Sequence, residues 1–209
     1  MYDTALYIGR FEPPHAGHMA LLQRALDSAP QAIVVMGSAW QVRSPKNPFT
    51  WPEREAMLRA ALSANDNARL QVLPVRDYYN EAVWVQAVRL AVAQCTPAGA
   101  RIALVGHFKD ASSSYLEHFP GWALINMARQ GHIDATTIRD AYFGASPGTA
   151  AAALAPLATQ MPASTLAALS AFAQQSEYAV LQEEWQMLRS YRAAWAQAPY
   201  PPVFVTVDA

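Results

Sequence analysis

The chain has 209 residues, with 15 Lys and Arg against 16 Asp and Glu, and 53% of its residues are hydrophobic. That length suits one sizeable domain with an appendage, and a charged fraction of 15% gives no basic field for nucleic acid. One cysteine excludes an internal disulfide, no stretch approaches the roughly 20 apolar residues of a membrane span, and the N-terminus lacks the basic opening and apolar run of a secretory signal, so a cytoplasmic protein with a small-molecule partner is expected.

Residues 5–9 read as a buried strand, and Gly9 then permits a sharp exit that lets backbone amides face a ligand. A helix is predicted over 17–28, because Met19, Leu21, Leu22, Ala25 and Leu26 recur at helical spacing. His15 and His18 therefore sit near a helix N-terminus, where anions bind. Further strands are expected at 32–37, 70–75, 101–106 and, from a weaker pattern, 122–126. Helices are expected at 51–63, 80–94 and 136–143. Thr50 and Glu53 have capping-box spacing with Pro52 in the first turn, which fixes a helix start there whatever the function.

This alternation predicts an α/β fold, a doubly wound parallel sheet covered by helices on both faces, with ligands at the carboxyl ends of the strands. Residues 144–160 turn Ala-rich around Pro147 and Pro156 and read as an irregular connection with a little helix. From about 164 to 196 the pattern is helical, through Leu166, Leu169, Phe172, Tyr178, Leu181, Trp185 and Leu188, and is expected to pack on the side of a domain spanning 1–196. Pro199, Tyr200, Pro201 and Pro202 read as a stiff linker, and 203–207 as the beginning of a strand that needs a partner.

The chemistry concentrates in Gly9 to His18, G-R-F-E-P-P-H-A-G-H. A His-x-x-His pair can also serve zinc, but the chain offers no compact cluster of further Cys or His, so no resident metal is expected. Gly, Pro and His can equally just shape a strand-to-helix turn. The pattern G-x-F-x-P-x-H-x-G-H nevertheless resembles the signature of the nucleotidyltransferases that join a phosphate-bearing molecule to the α-phosphate of ATP or CTP. With S-P-K-N-P-F-T-W-P-E-R at 44–54, the chain is similar to the nicotinamide mononucleotide adenylyltransferases, above all the bacterial two-domain proteins that carry such a domain ahead of a Nudix hydrolase domain. In that light 197–209 is the linker and opening of a truncated second, Nudix-like domain; a final strand joining the main sheet is the other reading.

The resemblance implies a Rossmann-like nucleotidyltransferase fold that transfers AMP from ATP to nicotinamide mononucleotide, with Mg2+ carried by ATP. It implies His15 and His18 as donors to the phosphates and Gly9 and Phe11 as backbone close to the nucleotide. Arg10 presents a fork suited to phosphate, or is a solvated strand-end arginine. Lys46, in the loop before the helix at 51, is a candidate phosphate ligand, and Arg54 a weaker one. The run I-D-A-T-T-I-R at 133–139 resembles the family's I-S-S-T-x-x-R, which places Thr136 and Arg139 on the β- and γ-phosphates. Asp134 departs from it: aspartate caps a helix as well as serine but adds negative charge near phosphate, so a direct phosphate role there is doubtful and a role through magnesium is the alternative.

For the acceptor, a pyridinium ring with a carboxamide asks for an aromatic face and amide partners, which Trp84 and Asn80 can supply. Trp84 also shares a helix face with Ala87, Val88 and Ala91, as a core residue would. His107 and Lys109, after the strand at 101–106, are nucleotide-side contacts whose roles spacing does not assign. Other phosphate acceptors remain open, among them phosphopantetheine, flavin mononucleotide and nicotinic acid mononucleotide, and so does a module that senses NAD without turnover. The sequence leaves oligomeric state open as well, a homo-oligomer included.

Overall fold

The structure, a computed structural model, describes residues 1–107, 118–128 and 133–200. Five strands, β1 (Thr4–Gly9), β2 (Gln31–Met36), β3 (Leu70–Pro74), β4 (Ile102–Gly106) and β5 (Ala123–Asn126), form one sheet in the order β3-β2-β1-β4-β5. All four pairings are parallel; Tyr7 of β1 faces Val34 of β2 on one side and Val105 of β4 on the other. The chain winds outward from β1 to β3, returns to place β4 beside β1, and winds outward again. The order thus reverses between β1 and β4, which opens a crevice at their carboxyl ends.

The central strands are apolar at nearly every position because both faces are covered. Ala5, Tyr7, Val34, Met36 and Val105 point toward α1 (Ala16–Ser28), where they pack with Leu22, Ala25 and Leu26. Leu6, Ile8, Ile33, Val35 and Leu104 point to the opposite face, against Val88 and Val92 of α4 (Glu81–Ala93). The expected doubly wound architecture is therefore present, with each predicted strand within about a residue of its place.

Two helical expectations are corrected. The predicted helix 51–63 ends earlier, as α2 (Trp51–Ala60), and a short α3 (Ala64–Arg69) follows it, capped where the Ser63 side chain accepts from Asp66 N–H. No residue of α3 is buried, so it leaves no apolar periodicity to read. After α5 (Ala135–Phe143), the connection contains α6 (Ala150–Leu154) and a 3-10 turn (Ala155–Gln160). The single helical pattern of 164–196 is two helices, α7 (Ala163–Phe172) and α8 (Ser176–Ala194).

They separate because Gln175 turns extended, which brings Tyr178 onto the α5 end: its hydroxyl donates to the Tyr142 carbonyl at 2.7 Å, and the Tyr142 hydroxyl donates to the Leu169 carbonyl at 2.6 Å. These C-terminal helices build a second apolar core around Phe143, Leu154, Phe172 and Leu181 that holds α5 in place. The expected terminal strand at 203–207 lies outside the described residues.

Candidate active site

The crevice at the switch point is a cleft of about 340 Å³ walled by β1 and the start of α1, by Gly106 at the end of β4 and His107 after it, and by the start of α5. His15 and His18 both line it. His15 is the N-cap of α1, its Nδ1 accepting from Gly17 N–H at 3.2 Å, which leaves the proton of the neutral ring on Nε2. His18 lies against it, ring centroids 3.7 Å apart. Burial first, then the electrostatic influence of the neighbouring His15 and Arg10, holds His18 well below the ordinary imidazole range, so it is a neutral N–H donor at neutral pH. Its Nδ1 is buried without a hydrogen-bond partner among the described residues.

The rings are positioned from beneath. Phe11 is buried, sits 4.9 Å from His18 and 5.3 Å from Tyr7 between centroids, and has a left-handed backbone with φ 58°. A Cβ on Gly9 would stand 3.0 Å from the Phe11 ring, tighter than ordinary contact, so glycine there lets the ring seat. Gly9 lines the cleft as expected, whereas the Phe11 side chain supports the histidines and is not part of the cleft wall.

Arg139 closes the other side. Its Nη1 donates to the Glu12 carbonyl at 2.7 Å and its Nη2 to Thr136 Oγ1 at 3.2 Å, which ties α5 to the loop after β1. Asp134 caps α5, its Oδ1 accepting from the Thr137 amide at 2.8 Å and hydroxyl at 3.1 Å. The cap gives Asp134 a structural role that serine would fill equally well, so it does not explain the departure from serine.

Arg54 is not placed to hold phosphate. It is 1% exposed and spends its guanidinium on carbonyls: Nη1 donates to Arg10 at 2.6 Å and Gly37 at 2.9 Å, and Nη2 to Ser38 at 3.2 Å. It is a staple between the loops leaving β1 and β2. Glu12 lies beside it, with Oε1 3.2 Å from Arg54 Nε but without hydrogen-bond alignment, and Oε2 accepting from Phe49 N–H at 3.2 Å. Burial pushes the Glu12 carboxyl up to about 8 against the pull of Arg54, the Phe49 amide, Arg139 and Arg10. Sequence reasoning missed this pair; a glutamate between two aromatic or proline neighbours was its only signal.

Lys46 is exposed in a tight turn where Ser44 and Asn47 exchange backbone hydrogen bonds, and it is not in the cleft wall. His107 is, its Nδ1 donating to the Met127 carbonyl at 2.9 Å. Lys109 lies outside the described residues.

A second cavity of about 540 Å³ shares the wall Ile8, Gly9 and Arg10 with the first and continues to Asp77, Tyr78, Tyr79, Glu81 and Trp84. Arg10, exposed at the end of β1, thus stands between the two. Trp84 reaches this cavity while its ring packs edge-on to Phe119 at 6.0 Å, so it serves core and cavity together. Asn80 is instead the N-cap of α4, accepting from Val83 N–H at 3.1 Å, and does not line the cavity. Its amide-like chemistry was legible; that it ends a helix was the competing use. If the cavity takes the pyridinium acceptor that the resemblance implies, Trp84→Ala should raise that acceptor's KM about five- to thirtyfold, the equivalent of about 1–2 kcal/mol of lost stacking, while ATP's stays near normal. Melting temperature measured beside both KM values decides between the roles, and a purely thermal effect removes Trp84 from the site.

The Cytidylyltransferase-like family matches residues 6–141. The nicotinamide/nicotinic acid mononucleotide adenylyltransferase of Acinetobacter baylyi is 38% identical over 143 residues, covering 68% of this chain and 76% of that protein. The nicotinamide-nucleotide adenylyltransferase of Aeropyrum pernix is 41% identical over 87 residues, 41% of this chain and 51% of that one. Among solved structures, the bifunctional NMN adenylyltransferase/ADP ribose pyrophosphatase of Francisella tularensis, complexed with AMP and a Mn ion, superposes with a TM-score of 0.83 at 28% identity, covering 98% of this chain. This chain spans 58% of the Francisella protein and about half of the Aeropyrum one. The chain belongs to the cytidylyltransferase-like nucleotidyltransferases, and among them to the nicotinamide mononucleotide adenylyltransferases.

Proposed function

We propose that this chain transfers AMP from ATP to nicotinamide mononucleotide, forming NAD and pyrophosphate. The observation that carries the reading is the pair of cavities meeting at Gly9 and Arg10, one rich in phosphate donors and the other aromatic. A phosphate oxygen of the mononucleotide attacks the α-phosphorus, and the bond from that phosphorus to the bridging oxygen breaks, releasing pyrophosphate. The nucleophile is already largely ionised at neutral pH because a phosphomonoester's second pKa is about 6. Catalysis then needs positioning and charge stabilisation rather than a base.

In this reading His15 and His18 donate N–H groups toward the transferring phosphate, and Arg10 draws both polyanions to the shared wall. Arg139 and Thr136, with the start of α5, face the leaving pyrophosphate. Among the described residues no group of three or more His, Cys, Asp or Glu is placed to hold a metal. A divalent ion, Mg2+ in this reading, would come with the triphosphate and neutralise its charge. Lys46 would act only if its loop moved over the triphosphate. A cytoplasmic location fits substrates of this kind, and no described helix is long and apolar enough to cross a membrane.

Pyrophosphate release with ATP and a panel of phosphate acceptors tests the assignment: nicotinamide mononucleotide should lead, phosphopantetheine and flavin mononucleotide should be inert, and binding of NAD without turnover would point to a sensor. Arg139→Ala is expected to weaken use of ATP, and of pyrophosphate in the reverse direction, by about 1.5–3 kcal/mol, the range for a hydrogen bond to a charged group. A defect confined to the acceptor's KM would move Arg139 to the other pocket.

A further inference from the structure

The acceptor cavity has an uneven charge lining. On the α4 side it presents two carboxylates, Asp77 and Glu81, beside Tyr78, Tyr79 and Trp84; among the described residues its lining cation is Arg10, on the wall shared with the phosphate cleft. Asp77 is held in place, Oδ1 accepting from the Ser38 amide at 3.2 Å and Oδ2 from the Gln41 side chain at 3.4 Å. Glu81, in the first turn of α4, is 3.0 Å from His118 Nδ1. Arg76, the nearby second cation, lies over the Tyr78 ring at 5.8 Å and lines the adjoining cavity with Trp40 and Gln41 rather than this one.

A pyridine mononucleotide brings two features into such a pocket. Its ring nitrogen is cationic, which two carboxylates favour. Its ring substituent is either a neutral carboxamide or, in the nicotinic acid form, a carboxylate. A carboxylate set against Asp77 and Glu81 would find like charge and, among the described residues, no lining cation free of the phosphates. Resting on the adenylyltransferase reading, we infer that Asp77 and Glu81 are specificity-determining residues that admit the carboxamide form and reject the carboxylate form of the acceptor. Rejection by like charge is a recognised route to specificity, and at the effective dielectric of a half-open pocket one such charge is worth about tenfold. Family membership does not settle the matter, since the Acinetobacter relative's name carries both acceptors.

The experiment measures pyrophosphate release with ATP and either nicotinamide or nicotinic acid mononucleotide, and reports the ratio of the two kcat/KM values for the wild-type chain, Asp77→Asn and Glu81→Gln. The acceptors differ only at the ring substituent, so contacts to phosphate and ribose cancel in the ratio, and so does a merely structural effect on the pocket. Asp77→Asn keeps an oxygen for the Ser38 amide. Glu81→Gln changes an exposed residue, so it decides the question even if the first variant is unstable. The wild-type ratio should favour the amide by about tenfold or more, and each substitution should reduce it about three- to tenfold, with kcat/KM for the acid rising. Equal use of both acceptors by the wild type, or substitutions that lower both kcat/KM values alike, overturns the inference while leaving the adenylyltransferase reading intact. No pyrophosphate release with either acceptor overturns both.

Discussion

His18→Ala is expected to lower turnover by about 10² to 10³ while the protein stays folded, the scale for removing one preorganised donor aimed at developing charge. The case rests on geometry: His18 stacks on His15, is seated by Phe11, and faces the cleft that Arg10 and Arg139 also line. Because burial keeps its ring neutral, the donor persists through neutral pH, and turnover should not track an imidazole titration of His18 between pH 6 and 8. Alanine retains the helix and removes only ring contacts, so circular dichroism should match wild type. Turnover at the wild-type level in a folded variant would sink the assignment of the cleft.

Much of this site was legible in the chain, because Gly9, His15, Gly17 and His18 sit on one continuous strand–turn–helix segment whose geometry follows from local rules. The start of α5 was legible for the same reason, since Asp134, Thr136 and Arg139 lie within one turn and a half. What stayed hidden is what joins segments distant in sequence. Arg54 reads as one more cation near a phosphate loop until the fold brings the carbonyls of Arg10, Gly37 and Ser38 around it. The second cavity is likewise made only when β1 and the β3–α4 loop meet, and Asn80 reads as a ligand because capping and ligand binding use the same side-chain oxygen. The sheet was easier: two buried faces force apolar runs in β1, β2 and β4, whereas exposed α3 carries no such mark.

Arg54→Ala should have the largest effect on stability. The side chain is fully buried, and its loss strands three carbonyls and opens a cavity in the loops that shape the cleft. Breaking such a network costs about 3–5 kcal/mol, and at about 2–4 °C per kcal/mol for a chain of this length the melting temperature should fall by about 6–20 °C. Its neighbour gives a sharper test through pH. The Glu12 carboxyl titrates near 8 in the folded protein against an ordinary value of 4.5, so its stabilising contribution is complete below about 4.5 and is lost as pH rises through 8. Across that window the native state holds a proton that the unfolded chain has released, and Glu12 alone lowers stability by on the order of 1 kcal/mol per pH unit. His18 acts in the opposite sense below about 6.5, because its folded ring resists the proton that the unfolded ring accepts, so the informative quantity is the difference between variant and wild type. Glu12→Gln keeps an acceptor for the Phe49 amide but does not titrate, and urea unfolding should show it gaining on the wild type steadily from pH 5 to 8. Parallel stability curves for the two proteins would mean that Glu12 is ionised throughout and that Arg54 pairs with it as a full salt bridge.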